Sequence, residues 1–84
     1  MGGVLMWSIR LIELDTRGLQ CPLPVLKLRK AIQNIKPNEK IKLITDDPAA
    51  VVDVPHFCNE QGYQITESLQ ENGYDLFIIK CKKS

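Results

Sequence analysis

The sequence predicts an α+β fold, an α/β two-layer sandwich in the order βαβαββ, with a four-stranded mixed sheet and two helices on one face. Three observations predict it. Pro22 to Ile35 carries apolar residues at helical spacing, four other stretches are rich in branched or alternating apolar residues, and Asn72-Gly73 separates the last two of these.

Ile9 to Asp15 (Ile-Arg-Leu-Ile-Glu-Leu-Asp) reads as the first strand, with Ile12 and Leu14 facing the core. A turn over Asp15 to Gln20 follows. From Pro22 to Ile35, Val25, Leu28, Ile32 and Ile35 fall on one helical face, while Lys27, Lys30 and Gln33 fall on the other. Lys36-Pro37-Asn38-Glu39 ends this helix, because proline cannot continue it and asparagine favours a turn. Lys40 to Thr45 alternates as a half-buried strand with Ile41 and Leu43 inward. Asp46-Asp47-Pro48 has the form of a helix start, Asp47 as N-cap and Pro48 as first helical residue. Val54-Pro55 is expected to break or kink that helix, which resumes to about Gln61 and ends at Gly62. Gln64 to Gln70 and Tyr74 to Lys82 form a hairpin across Asn72-Gly73. Leu76-Phe77-Ile78-Ile79 is apolar on both faces, so the pattern leaves its buried side open.

Residues 1–8 read as a flexible N-terminal extension and 9–84 as a single domain. The chain of 84 residues is 44% hydrophobic and 25% charged, values of an ordinary globule. Its 11 basic and 10 acidic side chains leave a net charge of +1, which gives no general attraction to phosphate backbones or anionic membranes. Direct nucleic-acid binding and membrane association are therefore not expected. Val4-Leu5-Met6-Trp7 is too short to span a bilayer. Three cysteines without a Cys-x-x-Cys pair, and a single histidine, His56, suggest neither a disulfide framework nor a metal site. Reduced thiols in the cytoplasm are the simplest expectation.

The chemistry is expected at Arg17-Gly18-Leu19-Gln20-Cys21-Pro22-Leu23-Pro24, where strand gives way to helix at a cysteine. Pro22 is read as the first helical residue, Pro24 as part of the first turn, and Gly18 as the permissive residue of a sharp turn. A helix N-terminus presents unpaired N–H groups and favours an anion. Cys21 at or beside the N-cap is thus expected to have a lowered pKa, with Arg17 adding positive charge. A fall from roughly 8.5 to about 7 raises the thiolate to about half at neutral pH, worth roughly 2 kcal/mol. A free cysteine is more often a buried small hydrophobe, but proline directly after it at a helix start favours the functional reading.

Leu14-Asp15-Thr16-Arg17-Gly18-Leu19-Gln20-Cys21-Pro22-Leu23-Pro24 resembles the signature of the TusA/SirA-like sulfur carriers, whose hallmark is Cys-Pro-x-Pro at the start of the first helix. Thr45-Asp46-Asp47-Pro48-Ala49 and Asp53-Val54-Pro55-His56-Phe57-Cys58 resemble the family's second helical region. The similarity runs from about Leu14 to the chain's end. It departs at Leu23, where the carrier serving tRNA thiolation has an acidic residue, and at Gln20, where a basic residue is common. The resemblance implies the same architecture and a carrier that holds sulfane sulfur as a persulfide on Cys21. It implies no cofactor beyond that transient persulfide, a donor of the cysteine desulfurase or rhodanese type, and an acceptor protein with a reactive cysteine. Such a protein is an enzyme only in the loose sense of a sulfurtransferase. Leu23, Lys27 and Arg29 are candidate partner contacts, although a solvated helix face is the better account of the two cations.

The alternatives are a thiol redox protein pairing Cys21 with Cys58 or Cys81, and a noncatalytic interaction module in which Cys21 merely packs. Cys58 is expected to pack and His56 to lie on the surface, since two residues' spacing turns them to different sides of a helix. Cys81, between Lys80 and Lys82, is expected on a strand face. Asp46 and Asp47 are explained by capping rather than acid–base chemistry.

Overall fold

The computed structural model describes residues 10–36 and 39–81, and of Cys81 the backbone alone. The elements are β1 (Arg10–Asp15), α1 (Leu23–Ile32), β2 (Glu39–Thr45), α2 (Pro48–Gln61), β3 (Tyr63–Glu71) and β4 (Tyr74–Cys81). The expected N-terminal extension over residues 1–8, and Ile9 of the expected first strand, lie outside the described residues. So do Pro37-Asn38 of the first breaker and Lys82.

The sheet order is β1-β2-β4-β3. β1 pairs parallel with β2, while β4 runs antiparallel to both β2 and β3. This is the four-stranded mixed sheet expected from the pattern. Alternation along the strands sends Ile12 and Leu14 of β1, Ile41 and Leu43 of β2, and Phe77 and Ile79 of β4 to the helix-covered face. There they meet Leu28 and Ile32 of α1 and Ala50, Val54 and Cys58 of α2 in one core. The side of β4 that periodicity left open is thereby settled: Phe77 and Ile79 are buried, and Leu76 and Ile78 take the other face only half-buried.

α1 starts one residue later and stops earlier than its pattern suggests. Pro22 is the N-cap rather than the first helical residue, and it provides no side-chain cap. At the other end Asn34 N–H bonds Ala31 C=O at 3.2 Å and Ile35 N–H bonds Ile32 C=O at 3.4 Å, tightening the last turn. Ile35 nevertheless packs against the core, so the apolar spacing reports a buried face that outlasts the helix itself.

The expected break in α2 is absent. The helix continues from Pro48 to Gln61 through Pro55. Proline at this place removes a hydrogen bond to the carbonyl four residues earlier, that of Val51. Both Val51 and Pro55 lie on the exposed side, where water can satisfy that carbonyl, while Ala50, Val54 and Cys58 are clamped in the core on either side of the lesion. Burial of the opposite face therefore holds the helix through its proline. Gly62, at φ 81°, closes it in the left-handed region with its N–H on Cys58 C=O. The hairpin forms as expected, Glu71 opposite Tyr74, with Gly73 at φ 83° in its turn.

Candidate functional site

The β1–α1 loop is held by the β2–α2 junction and the first turns of α2. Thr16 prolongs the parallel pairing: its N–H and its Oγ1 both donate to Ile44 C=O, at 2.8 and 2.6 Å. Gly18, at φ 88°, makes the turn in a conformation that favours glycine, and its N–H donates to both carboxylate oxygens of Asp46 at 3.0 Å. Leu19 N–H returns to Thr16 C=O at 3.1 Å. Cys21 N–H then donates to Asp47 Oδ2 in a short contact. The Cys21–Pro22 peptide is cis.

Asp47 is the N-cap of α2, as expected, with Oδ1 accepting from Ala49 N–H at 3.2 Å. Its second oxygen is the one that holds Cys21. One carboxylate thus caps its own helix and anchors the entry to the other. The loop residues Gly18, Leu19 and Gln20 and the junction residues Asp46, Asp47 and Pro48 line a shallow cleft of about 290 Å³ beside the cysteine.

Cys21 is exposed, and its Sγ donates to Asp53 Oδ2 at 2.8 Å, reaching 32 residues along the chain. This arrangement overturns the expected lowered pKa. The hydrogen bond to Asp53 raises it, followed by partial desolvation and by the negative charges of Asp53 and Asp47. The helix N-terminus does not compensate, for a reason visible in its residues. Pro22 and Pro24 have no N–H, and the N–H of Leu23 is taken by Gln20 C=O at 2.8 Å. Of the four N–H positions that open the helix, two are missing and one is spent, which leaves that of Val25.

Arg17 supplies no positive charge to the sulfur either. Its Nε and a terminal nitrogen bind the two oxygens of Asp15 at 3.0 and 2.7 Å, and its guanidinium lies 5.3 Å over the ring of Tyr74. The pairing draws Asp15 down from 3.8 to about 2. Pro24 is buried and seats the first turn of α1, whereas Leu23 between the prolines is 44% exposed. Lys27 and Arg29 are exposed on α1, and the charges acting on the sulfur are those of Asp53 and Asp47. Leu26 on α1 and Val52 on α2 add exposed apolar surface to these two helices.

Cys58 packs in the core at 1% exposure, and burial pushes its thiol up to about 11. His56 is on the surface, 3.3 Å from Glu60 one turn on, as its spacing from Cys58 led us to expect. Cys81 ends β4 opposite Tyr63. Among the described residues no group of three or more His, Cys, Asp or Glu side chains is arranged to hold a metal ion. No described helix is long and apolar enough to cross a membrane.

Sequence reasoning placed the cysteine and its motif but missed Asp53 as a site residue and the second use of Asp46 and Asp47. Capping accounts for the Asp-Asp-Pro pattern locally, and although Asp53 falls in the segment that resembles the family's second helical region, nothing local there marks it as a partner of Cys21. Its role is created by the packing of α2 beside the start of α1.

The family model described as Sulfurtransferase TusA matches residues 12–81. Two curated proteins called sulfur carrier protein TusA are similar to the chain. That of Allochromatium vinosum is 37% identical over 68 residues, covering 81% of this chain and 90% of its own length. That of Pseudomonas paraeruginosa is 36% identical over 69 residues, covering 82% and 87%. Among solved structures, a SirA-like protein from Desulfitobacterium hafniense superimposes with a TM-score of 0.74 at 24% identity, covering 86% of this chain and 99% of that one, a likeness of fold.

Proposed function

The chain belongs to the TusA sulfurtransferase family, whose members are sulfur carriers, and from that premise we propose that Cys21 carries sulfane sulfur as a persulfide between two partner proteins. The observation that supports this reading best is the contrast in accessibility at the motif. Cys21 stands exposed at the head of α1, whereas Cys58 is sealed in the core.

The transfer is a thiol–persulfide exchange. Cys21 sulfur attacks the outer sulfur of a donor persulfide, the donor S–S bond breaks with its electron pair on the donor cysteine, and a new S–S bond forms on Cys21. The proton lost by Cys21 balances the one gained by the donor thiolate. Sulfane sulfur moves without net oxidation, so no metal or organic cofactor is required. The donor is a cysteine desulfurase or rhodanese-type protein, and the acceptor presents a reactive cysteine, serving tRNA thiolation or another route of sulfur trafficking in the cytoplasm. Pro24, buried beneath the first turn, and the aspartates that grip the loop present the sulfur in a fixed direction. The cycle of a redox protein needs a resolving thiol, and the burial of Cys58 weighs against that alternative.

Incubation with a cysteine desulfurase and cysteine, followed by intact mass spectrometry, tests the proposal. The chain should gain one reducible sulfur atom, Cys21→Ser should gain none, and the Cys58→Ser/Cys81→Ser double variant should load nearly as well as the parent. Absence of that gain on the double variant, together with a peroxide-driven loss of two hydrogens in the parent that depends on Cys58 or Cys81, would replace the carrier with a redox protein.

A further inference from the structure

Building on the carrier reading of Cys21, we propose that Asp53 is a positioning residue that holds the empty sulfur protonated and aimed, and that disfavours the loaded anion so that sulfur is passed on rather than stored. A carboxylate accepts hydrogen bonds and cannot give them. The 2.8 Å approach of Sγ to Asp53 Oδ2 is therefore the geometry of a thiol, because a thiolate there would face a like charge with no proton between them. The cysteine is held twice from the α2 side, its N–H by Asp47 and its sulfur by Asp53.

The charges around the sulfur all act in one direction. Asp53 within α2 and Asp47 at its N-cap both raise the Cys21 pKa. Asp46 is engaged with Gly18 N–H, and the guanidinium of Arg17 on the β1–α1 loop with Asp15. Lys27 and Arg29 of α1 do not figure among the charges acting on Cys21. A site built for long storage of a sulfur anion would invert this balance.

Loading follows Cys21–SH + R–S–SH → Cys21–S–SH + R–SH. The donor S–S bond breaks as the Cys21 S–S bond forms, and the Cys21 proton ends on the donor thiolate. The outer sulfur then lies one S–S bond, about 2 Å, beyond Sγ. Once ionised it has no proton to offer Asp53 and meets two carboxylates. Repulsion raises the energy of the loaded anion and leaves the empty thiol favoured.

The test is the pH–rate profile of alkylation by iodoacetamide, an uncharged reagent, read at Cys21 alone by peptide mass spectrometry. It is run in the parent, in Asp53→Asn, which keeps the shape and removes the charge, and in Asp53→Ala, which removes both. The midpoint should fall by roughly one pH unit in both variants, as expected for deleting an adjacent like charge. At pH 7 the thiolate fraction then rises about tenfold, and because a more acidic thiol is a weaker nucleophile the rate should rise only about threefold. Persulfide loaded on Asp53→Asn should also outlast that on the parent. An unchanged or higher midpoint in both variants overturns the role of Asp53. Alkylation needs no sulfur donor, so a midpoint shift in the variants of a chain that never loads sulfur refutes the carrier reading alone. Normal loading with no shift refutes Asp53 alone.

Discussion

The two helices begin alike in composition and differently in physics. Both carry proline at their start, but α2 is capped by an aspartate carboxylate, whereas α1 has no side-chain cap, proline at its N-cap and again at its second helical residue, and the cysteine one residue ahead of that N-cap. The capped start is self-sufficient and has an oxygen to spare, which it lends to Cys21 N–H. The uncapped start depends on its neighbour. A functional sulfur is thus attached to the helix that cannot hold itself in place and positioned by the one that can. At α1 the donor positions nearest the thiol are empty or already engaged, so the sulfur gains little from that helix start.

That comparison is broken most severely by Asp47→Ala. Loss of the cap costs about 1 kcal/mol, and loss of the charge-assisted bond to Cys21 N–H adds a similar amount or more, for roughly 2 to 3 kcal/mol in total. Urea denaturation measures it. A loss below about 0.5 kcal/mol, the range of an ordinary surface substitution, would mean that α2 needs no cap and that the Cys21 loop is held by Asp46 and Asp53 alone. Leu23→Glu sharpens the comparison in the other direction. An acid in the exposed first turn of α1 supplies the dipole complement that the uncapped start lacks, so stability should rise by about 0.3 to 1 kcal/mol. The added charge sits two residues from the sulfur, where a partner must approach, and the ratio of loading rates from two different donors should change by more than the stability does. An unaltered ratio would remove Leu23 as a selectivity position.

The smallest effect concerns Asp15 and Arg17, the pair that keeps a guanidinium out of the sulfur's reach. Asp15 is lowered from 3.8 to about 2, first by its side-chain hydrogen bond with Arg17. A carboxyl depressed in the folded state stabilises it above the unfolded value, and that contribution fades as pH falls through the folded value. The window is therefore about pH 4 down to 2. Because the pair is exposed the effect on stability is small, and the direct measurement is an NMR titration of the Asp15 carboxyl. Its midpoint should lie near 2 and climb toward 3.8 in Arg17→Ala. A midpoint unmoved by the substitution would mean that Arg17 is not committed to Asp15 and is available to Cys21.

Several features were determined by the sequence alone, because their causes are local. Apolar spacing of three and four places Leu28 and Ile32 inward, alternation does the same for Ile41 and Leu43, Asp47-Pro48 starts a helix, and Asn72-Gly73 turns a hairpin. The motif singled out Cys21 with Gly18, Pro22 and Pro24. Tertiary structure decided what depends on partners distant in the chain. Burial of Ala50, Val54 and Cys58 carried α2 through Pro55, against the local preference of proline. Packing against the helices chose Phe77 and Ile79 as the inner side of β4. Above all, it reversed the electrostatics of the cysteine. A helix start read in isolation favours a thiolate, but Asp53 arrives from 32 residues away and Asp47 from 26. A full negative charge in hydrogen-bond contact outweighs the partial positive charge of a helix end whose first three donor positions, at Pro22, Leu23 and Pro24, are empty or already engaged.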